Sequence, residues 1–312
     1  MHRIATAPRA VNTPMPLQFD LDTRPAILPL YFRALTARKP GRLPPGQERV
    51  LASVLLGNQA VDPVHLQIYR DVCGFGPGQH LPATYPFVLA MPLQLKLLVS
   101  EAFPFPVLGV VHVRNSITQY RPLLEREHLD IRCDLAAAVA VKRGYEFELL
   151  TSVRVNGELV WECVSTLLSR TPHGEAKVSR PSSGKKAWVA PVDEGCASAV
   201  NWQVPADIGR RYARVSGDRN PIHLSASTAK IFGFPRAIAH GMWTKARCLA
   251  ALEEGAYAGT LPDRFTLGVD FIKPIFLPAE VLFQSAQSAT GTGFSLSSGG
   301  RRVNLTGALV HC

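Results

Sequence analysis

The sequence predicts an α+β protein in which one structural unit occurs twice. The segment 171–195 is rich in Pro, Gly, Ser and charge, which is typical of a linker, and it separates a first half at 46–170 from a second half at 196–312. The halves share a pattern, since Y-R-D-V-C-G-F at 69–75 corresponds to Y-A-R-V-S-G-D at 212–218. Each half then shows an apolar helix pattern followed by strand patterns, and a helix with an apolar face needs a sheet to cover it.

The first 45 residues form a basic, proline-containing extension at 1–45. One short helix is predicted within it, around L-Y-F-R-A-L-T-A-R at 30–38. We expect the extension to pack on a domain or to remain a partly ordered arm. Its start lacks the apolar core of a signal peptide, and no apolar stretch of the chain is long enough to span a membrane.

The first half begins with a strand pattern, R-V-L-A-S-V-L-L at 49–56. A short helix follows, with Asp62 as N-cap and Pro63 at the first helical position. The apolar run L-Q-L-K-L-L-V at 93–99 predicts a longer helix, and V-L-G-V-V-H-V at 107–113 begins a series of strands.

The second half repeats this order. A strand pattern at 199–204 precedes a short helix at 205–217, and R-C-L-A-A-L-E-E at 247–254 predicts the longer helix. Strands begin again with T-L-G-V-D-F-I at 266–272.

The two halves differ in polarity where they correspond. Phe75 stands where the second half has Asp218, and the first half has no counterpart of N-P-I-H. His240 corresponds to Phe87 in the same way. We therefore expect one half to carry polar chemistry and the other, including Phe75, to help house an apolar substrate.

The stretch R-V-S-G-D-R-N-P-I-H places polar groups close together just after a helix. Gly217 allows a left-handed exit from the helix, while Pro221 prevents an α-helix from continuing and biases Asn220 toward extended backbone. Asp218 and His223 are then close enough to share a water or a substrate proton as an acid/base pair. The alternative is an Asx-turn with a purely structural role.

A second stretch, A-I-A-H-G-M-W, begins the longer helix of the second half. The N–H of Gly241 at a helix start is available to a developing oxyanion, with His240 and Met242 beside it. The alternative is a packing glycine next to a core histidine. A metal bound by Asp218, His223 and His240 is a weaker interpretation, because neither a His-x-x-x-His pattern nor a Cys pair accompanies them.

Together the two stretches resemble the MaoC-like, or (R)-specific enoyl-CoA hydratase, family. V-H-V-R-N-S-I-T-Q-Y-R-P-L in the first half and F-I-K-P-I-F-L-P-A-E-V in the second are similar to its two-domain 3-hydroxyacyl-thioester dehydratases of mycobacterial type. The resemblance implies a double hot dog, in which a degenerate non-catalytic domain at 46–170 pairs with a catalytic domain at 196–312. It also implies reversible hydration of trans-2-enoyl thioesters without a cofactor or metal, with Asp218, His223, Asn220 and the Gly241 N–H at the reacting centre.

A formal net charge of +10 is compatible with a membrane surface, with a phosphate-bearing ligand or simply with a basic soluble protein. The family resemblance favours the phosphate-bearing ligand, as a thioester carrier that is either CoA or acyl carrier protein. Candidate contacts to the carrier are Arg211, Arg236, Lys245 and Lys273. Nucleic acid is not an expected partner, because the chain has neither a long Lys/Arg run nor a zinc-finger, KH or RRM motif.

Two other functions remain open at this level: a hot-dog acyl-CoA thioesterase and a non-catalytic acyl-thioester-binding protein. Six cysteines without a C-x-x-C pair indicate neither a zinc site nor a disulfide framework, and they fit a reducing cytoplasm. A homodimer of the two-domain chain is a further expectation of the family resemblance.

Overall fold

The structure is a computed structural model, and it describes residues 16–41, 51–136, 138–170, 197–299 and 302–312. The predicted linker at 171–195 lies outside these ranges, so its boundaries stay a prediction. Within the described ranges, no helix is long and apolar enough to cross a membrane.

The described part of the N-terminal extension packs on the first half. Strand β1 (Leu17–Leu21) pairs in parallel with β2 (Ala52–Gln59). Helix α1 (Ile27–Thr36) covers most of the predicted 30–38 but begins three residues earlier. Helix α1 is amphipathic and partly exposed, and it packs against the longer helix of the first half.

The first half contains two helices, α2 (Pro63–Cys73) and α3 (Tyr85–Val99). Asp62 caps α2 as predicted, because its carboxylate accepts hydrogen bonds from the backbone N–H groups of Val64 at 2.9 Å and His65 at 3.3 Å. The remaining strands of this half are β3 (Val111–Gln119), β4 (Leu129–Leu135), β5 (Val139–Val141), β6 (Gly144–Val155) and β7 (Glu158–Ser169).

The second half repeats the plan with an added loop. Its helices are α4 (Ile208–Ser216), a 3₁₀ turn (Pro221–His223), α5 (Ala226–Ile231) and α6 (Gly241–Ala251), which continues into one π-helical turn (Leu252–Ala256). Its strands are β8 (Ala197–Val204), β9 (Phe265–Phe271), β10 (Ala279–Ser288), β11 (Gly291–Ser298) and β12 (Arg302–His311).

Strand order confirms that the halves are built alike. Among the described residues, the first half runs β2-β4-β6-β7-β3 and the second β8-β10-β11-β12-β9 across the sheet. In both, the strand that is second along the chain is the last in space. These two strands, β3 and β9, pair antiparallel, so the two sheets join edge to edge. The seam brings the two halves into direct contact.

Each half wraps its sheet around one helix. In α3, every residue except Met91 and Lys96 is buried. Helix α6 is buried from Met242 to Ala246 and again from Cys248 to Ala250. An antiparallel sheet around a buried central helix, present twice, is the predicted α+β double hot dog.

Candidate active site

The polar loop of the second half begins where α4 ends. Gly217 has φ 73° and ends the helix in the left-handed conformation, and a Cβ there would collide with the side chain of Ile27 in α1. Pro221 therefore does not end α4, as the sequence suggested, but begins the 3₁₀ turn that carries His223. Asn220 is extended before it, with φ −55° and ψ 125°, as expected for a residue preceding proline.

Asp218 forms an Asx-turn through one carboxylate oxygen, Oδ1, while the other, Oδ2, faces His240. Its Oδ1 accepts hydrogen bonds from the Asn220 N–H and the Tyr31 phenol, both at 3.1 Å. Its Oδ2 lies 3.8 Å from Nε2 of His240. Burial opposes ionisation, but the imidazoles of His240 and His223 and the two hydrogen bonds outweigh it and hold the pKa of Asp218 below its ordinary value. Asp218 is thus a carboxylate at neutral pH.

His223 is held in one tautomer. Its Nδ1 lies 2.8 Å from the backbone carbonyl oxygen of Ile238, which can only accept, so Nδ1 carries the proton and Nε2 presents a lone pair. Burial lowers the pKa of His223, although Asp218 and the Ile238 carbonyl oppose this. A neutral imidazole with a free Nε2 can accept a proton.

His240 lies face to face with His223. The ring centroids are 3.7 Å apart with an interplanar angle of 25°. His240 Nε2 donates to the backbone carbonyl oxygen of Asp218 at 2.9 Å, whereas its buried Nδ1 has no hydrogen-bond partner within the described residues. Burial, followed by the neighbouring His223, lowers the pKa of His240 to about 3, so the ring remains neutral.

Gly241 begins α6 directly after His240. The first N–H groups of a helix have no acceptor within the helix, so the Gly241 N–H is available to a ligand. A Cβ at this position would lie 3.1 Å from the ring of Phe271, so the ring or the backbone would have to shift by a few tenths of an ångström to admit a side chain.

Two cavities adjoin at this point, and Gly241 and His112 line both. The larger cavity has a volume of about 540 Å³ and contains His223. Three exposed cations also line it, namely Arg143 and Arg170 from the first half and Lys273 from the second. This cavity is therefore lined both by exposed cations and by the buried imidazole of His223.

The smaller cavity has a volume of about 120 Å³ and contains Asp218, Asn220 and His240. Most of its wall comes from the first half and is apolar. These wall residues are Phe87, Met91, Leu95, Leu98, Val107, Leu108, Val110, Leu149 and Leu167, and Met242 is added from α6. The two cavities thus combine a basic lining with an apolar one, and Asp218 and His223 lie where they adjoin.

The structure does not bring every predicted residue to these cavities. Phe75 is 8% exposed and stacks on Tyr69 at 6.1 Å between ring centroids, in the core rather than in the wall of either cavity. Arg211 and Arg236 are exposed and line neither cavity; Arg236 lies over the ring of Phe276.

Lys245 is fully buried and not accessible to a carrier phosphate. Its Nζ donates to the side-chain and backbone oxygens of Asn115 and to the backbone oxygen of Leu267. Burial lowers its pKa to about 7. Lys273 is the predicted cation that does line the larger cavity.

Sequence reasoning missed several residues of the site. His112, whose buried Nε2 has no hydrogen-bond partner among the described residues, comes from β3 of the first half. Tyr31 comes from the extension, and Arg143 and Arg170 flank strands of the first half. No local pattern marks them, because each reaches the site only through the packing of distant segments.

The metal alternative fits these residues poorly. One ligand atom each from Asp218, His223 and His240 lies within 4.8 Å of the others. The two imidazoles are stacked, however, so their in-plane lone pairs run side by side, whereas zinc needs lone pairs that converge on a point about 2.0–2.1 Å away. A carboxylate, a neutral imidazole and a free helix N–H suit proton transfer next to a carbonyl oxygen.

Comparison with known proteins gives concordant matches. Residues 190–308 match the family model described as MaoC like domain. The chain is 34% identical to 3-hydroxyacyl-thioester dehydratase X of Mycobacterium tuberculosis over 274 residues. This aligned region covers 88% of this chain and 94% of that protein. It is 27% identical to the peroxisomal enoyl-CoA hydratase 2 of Arabidopsis thaliana over 72% of this chain and 75% of the relative. The crystal structure of HtdX from M. tuberculosis superimposes with a TM-score of 0.70 at 31% identity, over 83% of this chain and 100% of that one.

Proposed function

The chain belongs to the MaoC-like dehydratase family, and on this premise we propose that it interconverts trans-2-enoyl thioesters and (3R)-3-hydroxyacyl thioesters in fatty acid metabolism. One observation carries the proposal. The carboxylate of Asp218 and the unprotonated Nε2 of His223 belong to one cluster at the junction of a basic cavity and an apolar one. An acyl chain attached to a charged carrier needs both environments on either side of its reacting carbons.

In the hydration direction, the oxygen of water forms a bond to C3, and C2 gains a proton. Asp218 and His223 divide these two proton transfers, and Asn220 helps to orient the water. Negative charge develops on the thioester oxygen as the water oxygen attacks C3, before C2 takes its proton, and the Gly241 N–H donates to that oxygen. The reverse reaction removes the C2 proton and returns the C3 oxygen as water.

The cations of the larger cavity support a phosphate-bearing carrier. Arg143, Arg170 and Lys273 are exposed and come from both halves, so a carrier bound there would contact both. CoA and acyl carrier protein share the phosphopantetheine group. A basic cavity accounts for that shared chemistry.

The chemistry can be tested with crotonyl-CoA and a longer enoyl-CoA. Hydration is followed as loss of absorbance of the conjugated thioester. Asp218→Asn and His223→Ala should each lower kcat/KM by about 10²- to 10⁴-fold, because each removes one proton-transfer group. Asp263→Asn, which changes an exposed carboxylate away from both cavities, is the matched control and should keep full activity.

The same assay separates the other functions. Release of free thiol without hydration would identify a thioesterase instead, and binding without either reaction would identify an acyl-thioester-binding protein. Unchanged hydration in both variants would refute the assignment of Asp218 and His223.

The proposed setting is the cytoplasm, and the proposed assembly is a homodimer. Cys73, Cys133, Cys163 and Cys248 are free and buried, which suits a reducing compartment. Light scattering of the purified chain distinguishes a dimer from a monomer, and fractionation of the source cells locates it.

A further inference from the structure

The N-terminal extension places a side chain in direct contact with the catalytic loop. The phenol oxygen of Tyr31, in α1, donates to Oδ1 of Asp218 at 3.1 Å and accepts from the backbone N–H of Arg219 at 2.8 Å. The ring also lines the smaller cavity beside Asp218, Asn220 and His240. The Asp218 carboxylate therefore accepts one hydrogen bond from within the Asx-turn, from the Asn220 N–H, and one from a residue 187 positions away in sequence.

The extension is held on both sides of this contact. Before α1, strand β1 pairs with β2 over five residues. After α1, the ammonium of Lys39 donates to the backbone carbonyl oxygens of Ser100 and Phe103, and Gly41 donates to Pro104. Ile27 fills the space over Gly217, where α4 ends. Tyr31 is thus supported by a fixed segment rather than by a free arm.

The two hydrogen bonds determine the direction of the phenol proton. Because the Arg219 N–H occupies a lone pair of the oxygen, the O–H points to Asp218. This donor and the Asn220 N–H both bind Oδ1, whereas Oδ2 lies 3.8 Å from Nε2 of His240. A hydrogen bond to a carboxylate favours its ionised form, and it also restricts its rotation.

We infer that Tyr31 is a positioning residue of the active site, and that the N-terminal extension completes this site by orienting the Asp218 carboxylate and keeping it ionised. The inference rests on the proposed dehydratase function for its kinetic consequences. The phenol itself stays protonated throughout, since burial and the adjacent Asp218 raise the pKa of Tyr31.

Tyr31→Phe removes the hydroxyl and keeps the ring. We expect kcat/KM for crotonyl-CoA to fall about 10- to 100-fold, the range for one hydrogen bond to a charged group. The pKa of Asp218 should rise, so the acid limb of the pH profile should move to higher pH. Phe32→Leu, at the next and solvent-exposed position of α1, is the control and should match the unmodified protein.

A double-mutant cycle tests whether Tyr31 acts through Asp218. On the Asp218→Asn background, Tyr31→Phe should cause little further loss, because the group that it positions is already gone. Equal fold losses from Tyr31→Phe on both backgrounds would show that the residue acts independently of Asp218 and would overturn the inference.

A measurement without substrate keeps the inference separate from the proposed function. NMR titration of protein labelled with ¹³C at aspartate carboxyl carbons, with the Asp218 signal assigned from Asp218→Asn, reports the pKa directly. A rise of about one unit in Tyr31→Phe supports the inference even if no enoyl thioester is hydrated. An unchanged Asp218 pKa together with an unchanged pH profile would refute it.

Discussion

Replacing Lys245 by methionine should change how the stability of the protein depends on pH. Lys245 is 0% exposed in α6, and its ammonium reaches only oxygens of Asn115 and Leu267 among its described hydrogen-bond partners. Burial lowers its pKa from 10.5 to about 7. The unfolded chain, which has no such burial, keeps the ordinary value.

The sign and the size of the effect follow from proton linkage. Between pH 7 and 10.5 the unfolded chain holds a proton on Lys245 that the folded chain has released, so the free energy of unfolding rises with pH. The slope approaches about 1.4 kcal/mol per pH unit, and the rise between pH 7 and pH 9 is about 2 kcal/mol. Lys245→Met has no proton to release here and lacks this rise.

Urea unfolding at pH 7, 8 and 9 measures the difference directly. The free energy of unfolding of the unmodified protein minus that of Lys245→Met should increase by about 2 kcal/mol over this range, since all other groups cancel. Lys230→Met, which removes an exposed lysine of α5, should show a constant difference. A constant difference for Lys245→Met as well would refute the lowered pKa.

The KM for CoA thioesters should keep its salt dependence in Lys245→Met, because the ammonium does not reach the larger cavity.

Gly241→Ala should lower kcat/KM about 100-fold in the hydration assay, because its Cβ would lie 3.1 Å from the Phe271 ring and relief of this contact would displace the N–H that we propose donates to the thioester oxygen. A loss below threefold would contradict this role. Phe75→Ala should cost about 3–5 kcal/mol of stability in urea, because the ring is 8% exposed and stacks on Tyr69. It should leave the ratio of rates on short and long enoyl-CoA substrates unchanged, whereas Phe87→Ala, in the cavity wall, should alter that ratio.

The features that the sequence predicted well depend on neighbouring residues. Asp62 caps α2, Gly217 ends α4 in the left-handed conformation, and Asn220 is extended before proline. Each follows from the conformational limits of a single residue type or from a side chain that reaches the backbone two or three positions away. The internal repeat could likewise be found by aligning the two halves of the sequence, and the matching strand orders confirm it.

The features that the sequence did not predict depend on distant residues. Lysine is rarely buried, so Lys245 suggested a surface cation, and only the three oxygens of Asn115 and Leu267 make its burial tolerable. Tyr31 lies in a segment with no catalytic pattern and meets Asp218 only because β1 and α1 dock on the first half. Phe75 corresponds to Asp218 in the repeat, but without the N-P-I-H loop it turns into the core.

The duplication also explains where the apolar interior of the site comes from. Phe87 occupies the position that corresponds to His240, and both residues line the smaller cavity. A second polar cluster at Phe87 would have left unpaired polar atoms against an acyl chain, which costs free energy unless each finds a hydrogen-bond partner. An apolar ring there removes that cost and presents a surface that an acyl chain can bury. The first half therefore supplies much of the apolar wall of a cavity whose Asp218, Asn220 and His240 come from the second half, and such a cavity requires that the halves stay joined through β3 and β9.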